Sequence, residues 1–156
     1  MIDFSFETLR NLGLSTRMAQ TLAQQGVPAD AVEPAPAHHW MRVTAVHRET
    51  LEVHDGSATH MARCAARLTR DLHAAADTLA VGDWVLCAPV APAAAGEAPA
   101  WWVVQRAEPT NQIVRRDGDG RRHAIVSNVD TALLVMGLDL DYNLQRHGPK
   151  VGSALN

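Results

Sequence analysis

Four arginines flank one short turn in the second half of the chain, and they are Arg115, Arg116, Arg121 and Arg122. The turn, residues 117–120, has the sequence Asp-Gly-Asp-Gly, which favours a hairpin that brings the guanidinium groups together. Guanidinium groups bind phosphates in a bidentate manner and stack on unpaired bases. We therefore predict that these residues bind RNA. The alternative is a solvated turn in which they pair with Asp117 and Asp119.

A second, more dispersed group of arginines precedes this cluster, and it consists of Arg42, Arg48, Arg63, Arg67 and Arg70. Arg42 and Arg63 fall on strand positions whose neighbours point inward, so they are predicted to line one outer face and to contribute to RNA binding. Trp101 and Trp102 are adjacent, and adjacent residues of a strand face opposite sides, so only one of them can be core. The other is either a stacking platform or packs under the N-terminal helix.

Residues for catalysis or metal binding are not evident. The single lysine, Lys150, follows Pro149, whereas a phosphate-binding P-loop needs a lysine directly after a glycine. His47 and His54 flank one predicted hairpin without a third ligand, and the two cysteines form no Cys-x-x-Cys pair. We assign no catalytic residue, no metal site and no cofactor to this chain.

The first 37 residues are predicted to form a helical extension and a linker. Residues 7–25 carry apolar side chains at helical spacing, with a possible break at Gly13 and a candidate N-cap at Ser15. Residues 29–37 contain Pro34 and Pro36 and show no apolar periodicity, which is typical of a linker.

From residue 40 onward the pattern changes to short strands with alternating apolar side chains. Strands are predicted at residues 41–45, 51–53, 59–64, 84–88, 100–106, 111–116 and 123–127, with a helix or crossover near residues 68–78. Short strands at intervals of about ten to fifteen residues, joined by turns and one helix, favour a small Greek-key barrel. The predicted fold is mainly β, an OB-fold of five to six strands.

Composition and charge limit the remaining possibilities. Hydrophobic residues make up 47% of the chain and charged residues 20%, so a folded domain is expected. The net charge of −3 gives no general attraction to nucleic acid, so RNA binding must depend on local clusters. Asp3 and Glu7 lie where a signal peptide would be positive, and no apolar run reaches 18 residues, so a cytoplasmic protein without a membrane partner is expected.

Three segments of the chain together resemble the ribosome small-subunit-dependent GTPase A family. They are residues 81–85 (Val-Gly-Asp-Trp-Val), 113–116 (Ile-Val-Arg-Arg) and 126–130 (Val-Ser-Asn-Val-Asp), the last leading into an apolar run. The similarity extends from about residue 40 to residue 146. It implies an OB-fold ahead of a circularly permuted GTPase domain and a zinc-binding helical domain, and a role in maturing the small ribosomal subunit. The implied partners are the 30S subunit and its rRNA.

The last part of the chain departs from that family. Residues 131–136 form an apolar run typical of a central parallel strand, and they are predicted to be one extra strand from a truncated GTPase domain. Residues 147–156 resemble nothing in the family, and the Asn-Lys-x-Asp motif that selects guanine is missing because no other lysine is present. GTP and zinc are therefore expected only in the full-length family.

These arguments predict four regions and three possible functions. The regions are an N-terminal extension and linker (1–37), the OB-fold (38–127), the start of a truncated GTPase domain (128–146) and a divergent tail (147–156). The first function is an rRNA-binding module that is inactive alone as an enzyme; the alternatives are the small-subunit-dependent GTPase itself and an orphan barrel that binds a protein partner. An uncovered strand at residues 131–136 would also self-associate.

Overall fold

The computed structural model describes residues 2–3, 6–25, 38–90, 100–120, 122–133 and 135. The helices are α1 (Phe6–Arg10), α2 (Thr16–Gln24) and α3 (Ala66–Ala74). The strands are β1 (Ile2–Asp3), β2 (His38–Val46), β3 (Leu51–His54), β4 (Thr59–Cys64), β5 (Trp84–Val90), β6 (Ala100–Arg106), β7 (Gln112–Arg116) and β8 (Arg122–Ser127). The chain is thus mainly β, as predicted. In the part that the structure describes, none of the helices has the length and apolar character needed to cross a membrane.

Five strands close into a barrel in the order β2-β3-β4-β6-β5, and β5 pairs back to β2. The β4–β6 pairing is parallel and the other four are antiparallel. Helix α3 connects β4 to β5, and β1 adds a short parallel pairing at the start of β2. This connectivity confirms the predicted OB-fold, with five strands in the barrel.

The barrel interior is filled by side chains that alternate along the strands. Its core consists of Met41, Val43, Leu51, Val53, Ala62, Val85, Cys87, Trp101 and Val103. Leu68 on α3 and Leu79 in the following segment pack against this cluster. Because each strand presents every second residue inward, residues such as Arg42, Arg63 and Trp102 face outward.

The N-terminal helices pack on the outside of the barrel and form a second core. Leu9, Leu14, Met18 and Leu22 cover the outward side chains of Trp40, Trp84 and Leu86, and all of these are buried. The amide of Met18 donates to the Ser15 hydroxyl at 3.2 Å, so Ser15 is the N-cap of α2 as predicted. The extension is therefore an integral outer layer of the fold and covers the face where β2 and β5 meet.

Strands β7 and β8 form a two-stranded ribbon outside the barrel. A single parallel bridge between Val81 and Val126 connects it to the barrel, and the amide of Ser127 donates to the Val81 carbonyl at 2.8 Å. The sequence pattern predicted these two strands but did not separate them from the barrel strands, because alternation alone does not distinguish a barrel strand from a ribbon strand.

The predicted extra strand at residues 131–136 is wrong for the residues that the structure describes. Residues 131–133 and 135 belong to no strand, and the side chains of Leu133 and Val135 are 87% and 80% exposed. A central parallel strand has a neighbour on each edge, but the five barrel strands already pair with one another on both sides. The remaining predicted positions, 134 and 136, lie outside the described residues, as does the tail at 147–156.

Candidate nucleic-acid interface

The β7–β8 ribbon carries three of the predicted RNA-binding arginines on an exposed surface. Arg116 lies directly opposite Arg122 in the ribbon, and Arg115 lies directly opposite His123. Because neighbouring positions of a strand face opposite sides, Arg115 projects from one face and the Arg116–Arg122 pair from the other. All three side chains are exposed, whereas Arg121 lies outside the described residues.

Asp117 organises the turn at the ribbon tip. Its Oδ1 accepts the amide of Asp119 at 3.1 Å, and its carbonyl accepts the amide of Gly120 at 3.0 Å. Its Oδ2 lies 3.0 Å from Nε2 of His123. Gly120 has a φ of +78°, a conformation that other residues rarely adopt. Nη1 of Arg116 donates to the Gly120 carbonyl at 3.2 Å, so the turn also orients one guanidinium group.

Arg42 is engaged inside the fold. Its guanidinium donates to the carbonyl of Leu12 and, at 2.9 Å, to the carbonyl of Asn128, and it lies 5.5 Å from the centre of the Trp84 ring. Burial lowers the pKa of Arg42, and the charge of Asp130 opposes that effect. The structure therefore does not bring Arg42 together with Arg63 on one open face. Arg42 instead joins β2 to the loop between α1 and α2 and to the segment that follows β8.

Arg63 is exposed on the opposite part of the barrel wall. It is the register partner of Trp102 in the parallel β4–β6 pair. Trp101 is 9% exposed and packs in the barrel, whereas Trp102 is 39% exposed. The prediction that only one of the two tryptophans is core is therefore confirmed.

Arg106 is largely buried and lies in a charge cluster with Asp77 and Asp83. Its guanidinium donates to the Asp77 carboxylate and, at 3.0 Å, to the Thr78 carbonyl, and Asp83 lies 3.7 Å from Nη1. Burial acts to lower the pKa of Arg106, but the two carboxylates outweigh it and raise that pKa. Burial raises the pKa of Asp83, whose Oδ2 accepts the amide of Ala80 at 2.9 Å.

The segment that leaves β8 is fixed by two asparagines. Asn128 has a φ of +54°; its Nδ2 donates to the Gly82 carbonyl at 2.9 Å and its Oδ1 accepts the Thr110 amide at 2.9 Å. Asn111 pairs with Val129 in both directions, accepting its amide at 2.8 Å and donating to its carbonyl at 3.0 Å. These contacts set the direction of the chain after the ribbon, a function that the sequence pattern did not reveal.

The histidines flanking the first hairpin contact other groups. His47 lies 3.1 Å from the Glu52 carboxylate, and Nδ1 of His54 accepts the amide of Gly56 at 2.9 Å. Among the described residues, no group of three or more His, Cys, Asp or Glu side chains is arranged to hold a metal ion.

Comparison with known proteins gives partial matches. No protein-family model matches the chain. Two curated relatives, both named small ribosomal subunit biogenesis GTPase RsgA, come from Leptospira interrogans serogroup Icterohaemorrhagiae, serovars copenhageni and Lai. Each is 35% identical over 78 residues, which is 48% of this chain and 20% of the relative. The chain thus spans about a fifth of the length of these relatives and is distantly related to the RsgA family.

Proposed function

We propose that this chain is an RNA-binding OB-fold module that attaches to the small ribosomal subunit through rRNA. The distant relation to RsgA, a small-subunit biogenesis GTPase by its name, supports the choice of the ribosomal target. The barrel fold supports the choice of ligand, because OB-folds commonly bind nucleic acid. The expected location of such a module is the cytoplasm.

The observation that carries the proposal is the Arg116–Arg122 pair at the tip of an exposed ribbon. Like charges directly opposite each other in a β-ladder are destabilising by up to about 1 kcal/mol. A phosphate between the two guanidinium groups converts this repulsion into attraction. The third arginine, Arg115, faces the other side of the ribbon, so the ribbon can contact phosphates on both sides.

The electrostatics favour attachment to a phosphate backbone over selection of a base sequence. The chain has a net charge of −3, so the attraction must come from local groups of arginines such as those of the ribbon, and it is short in range. Backbone contacts of this kind release counterions, and affinity then falls with salt by roughly 0.7 to 0.9 of a logarithmic unit per neutralised phosphate. The proposed contact is therefore salt-dependent and tolerant of sequence.

Binding of the chain to purified 30S subunits across a range of salt concentrations tests the proposal. Replacing Arg115, Arg116 and Arg122 by glutamine is expected to lower the affinity at low salt and to reduce the salt slope by about 2 to 3. The matched control replaces Arg10 and Arg17, two exposed arginines of the N-terminal layer, and should retain the slope. Failure of the unaltered chain to bind, or an unchanged slope in the ribbon variant, would contradict the proposal.

A second candidate is that the chain forms part of a GTPase, which is the activity named for its relatives. The single lysine follows a proline, so these 156 residues supply no P-loop and no guanine-selecting motif. The candidate requires those motifs to be encoded elsewhere. Reading the gene beyond the codon for Arg146 in all three frames tests it, because one frame should encode both motifs.

A further inference from the structure

The outer wall of the barrel has one uncovered tryptophan. Of the four tryptophans, Trp40 and Trp84 also face outward, but the N-terminal helices bury both. Trp102 lies on β6 between the inward-facing Trp101 and Val103, and 39% of its surface is exposed. An exposed indole on a barrel wall can stack on a flat ligand.

The neighbours of Trp102 define the shape and charge of this surface. Across the β4–β6 pairing its register partner is Arg63, and across the β5–β6 pairing its partner is Ala88. Met61, two residues before Arg63 on the same face, is 52% exposed. Trp102 is thus flanked by an arginine on one neighbouring strand and by an alanine on the other.

The positive charge of this surface comes from Arg63. Arg63 makes no ion pair or hydrogen bond with any residue in the described ranges. Glu52, the register partner of Met61, lies 3.1 Å from His47. An anionic ligand that reaches Arg63 therefore does not have to displace a described carboxylate.

We infer that Trp102, Arg63 and Met61 form a stacking site for an unpaired nucleobase of RNA, with Arg63 contacting the adjacent phosphate. This inference rests on the proposed RNA binding and adds a second contact, distinct from the ribbon. A protein partner is a poorer occupant, because a stable interface buries about 800 Å² on each side and this surface offers one indole and one thioether. A single base needs only the ring face, and every base has a π-face to stack on it.

The test uses a twelve-nucleotide oligoadenylate as the probe, with the same strand in a duplex with oligouridylate for comparison. Stacking is expected to quench the fluorescence of the one exposed tryptophan, and the duplex should quench it less because its bases are already paired. Trp102→Leu is expected to weaken oligoadenylate binding by roughly 5- to 100-fold, while Trp102→Phe should retain most of the affinity. Arg63→Gln should weaken binding and reduce the salt slope by the amount expected for about one neutralised phosphate.

The ribbon variant separates this inference from the proposed function. Replacing Arg115, Arg116 and Arg122 by glutamine should weaken binding of the oligonucleotide but preserve the quenching at saturation. Two results together would overturn the stacking site alone, provided that the ribbon variant loses binding. Trp102→Leu would bind the oligonucleotide as tightly as the unaltered chain does, and saturating oligonucleotide would not quench the fluorescence of the unaltered chain. Absence of any RNA binding by the unaltered chain at low salt would overturn both proposals.

Discussion

The guanidinium group of Arg42 joins three parts of the chain that are far apart in sequence. It donates to carbonyls of Leu12 and Asn128, which are 30 and 86 residues away, and lies against the Trp84 ring. A Cβ at Gly13 would lie 2.5 Å from Nη1 of Arg42, so the approach of this loop depends on the glycine. A charged group that satisfies two partly buried carbonyls contributes more to stability than a surface arginine does.

Arg42→Gln is expected to lower the free energy of unfolding by about 2 to 4 kcal/mol, because two charge-assisted hydrogen bonds are lost and their carbonyls remain half-buried. Urea unfolding measures this change. The control is Arg63→Gln, at an exposed arginine of β4, for which a change within about 0.5 kcal/mol is expected. Similar losses for the two variants would contradict the structural role of Arg42.

The turn between β3 and β4 contains a carboxylate with an unusually low pKa. Burial alone would raise the pKa of Asp55, but hydrogen bonds from the amides of Ala58 and Ser57 and from His60 outweigh it and lower that pKa to about 2. The ordinary value is 3.8. A depressed folded-state pKa means that Asp55 stabilises the fold above pH 3.8, and that this contribution disappears as the pH falls toward 2.

Asp55→Asn is therefore expected to flatten the pH dependence of stability between about pH 4 and pH 2, because the amide oxygen still accepts the turn amides but does not titrate. Thermal unfolding across this pH range is the measurement. Glu49→Gln, an exposed carboxylate in the preceding turn, serves as the control and should leave the dependence unchanged. The idea fails if Asp55→Asn and the unaltered chain lose stability in parallel.

Sequence patterns located the charged residues but not their partners. Arg42 was predicted to line an open outer face, yet it contacts a carbonyl 86 residues away that only the folded barrel brings close. Local spacing was sufficient for the ribbon tip, because Arg116 and Arg122 are joined by a short turn. The position of an arginine on the surface could therefore be predicted from sequence where the contacts are local. Whether the exposed ones bind RNA stays a prediction.

Strand β5 is apolar on both faces, and its outer face needs the cover that the N-terminal helices provide. Its sequence begins Trp-Val-Leu-Cys, with bulky apolar residues on both faces. Val85 and Cys87 face the barrel core, whereas Trp84 and Leu86 face the helices. A strand of an isolated barrel would need polar residues on its outer face. The two-sided apolar pattern was visible in the sequence, but the element that covers its outer face was not.

Leu22→Ala is expected to lower the free energy of unfolding by about 2 to 5 kcal/mol, because this side chain is completely buried between α2 and the barrel wall. The same change should also raise the accessibility of Trp40 and Trp84 to an aqueous quencher. Leu133→Ala, at a leucine that is 87% exposed, is the matched control and should change stability little. If the N-terminal extension did not pack on the barrel, neither substitution would change the free energy of unfolding.

Across the whole molecule, the predicted architecture agreed with the structure wherever local periodicity determines it. The alternating segments became strands: five of them close into the barrel in the order β2-β3-β4-β6-β5, and β7 and β8 form the ribbon outside it. Residues 131–136 were the exception, because an apolar run predicts a buried strand only if neighbouring strands exist. Their absence from the described part of the chain leaves Leu133 and Val135 in solvent.

Such a segment is expected to associate with a second copy of the chain. Leu133 and Val135 expose nearly their whole side chains two residues apart, and the closed barrel has no free edge on which they could pair. Burying both in a dimer removes apolar surface from water at about 25 cal/mol for each Å². Analytical ultracentrifugation should therefore detect association that grows with protein concentration.

Replacing both Leu133 and Val135 by glutamine removes the apolar surface without touching either core, so the variant should sediment as a monomer at concentrations where the unaltered chain associates. Ile113→Gln controls for a general effect of removing an exposed apolar side chain, because Ile113 is exposed on the ribbon and away from this segment. Association that persists in the double variant but disappears in Ile113→Gln would assign the contact to the ribbon. Monomeric behaviour of the unaltered chain would instead mean that exposure of two apolar side chains is too small to hold two copies together.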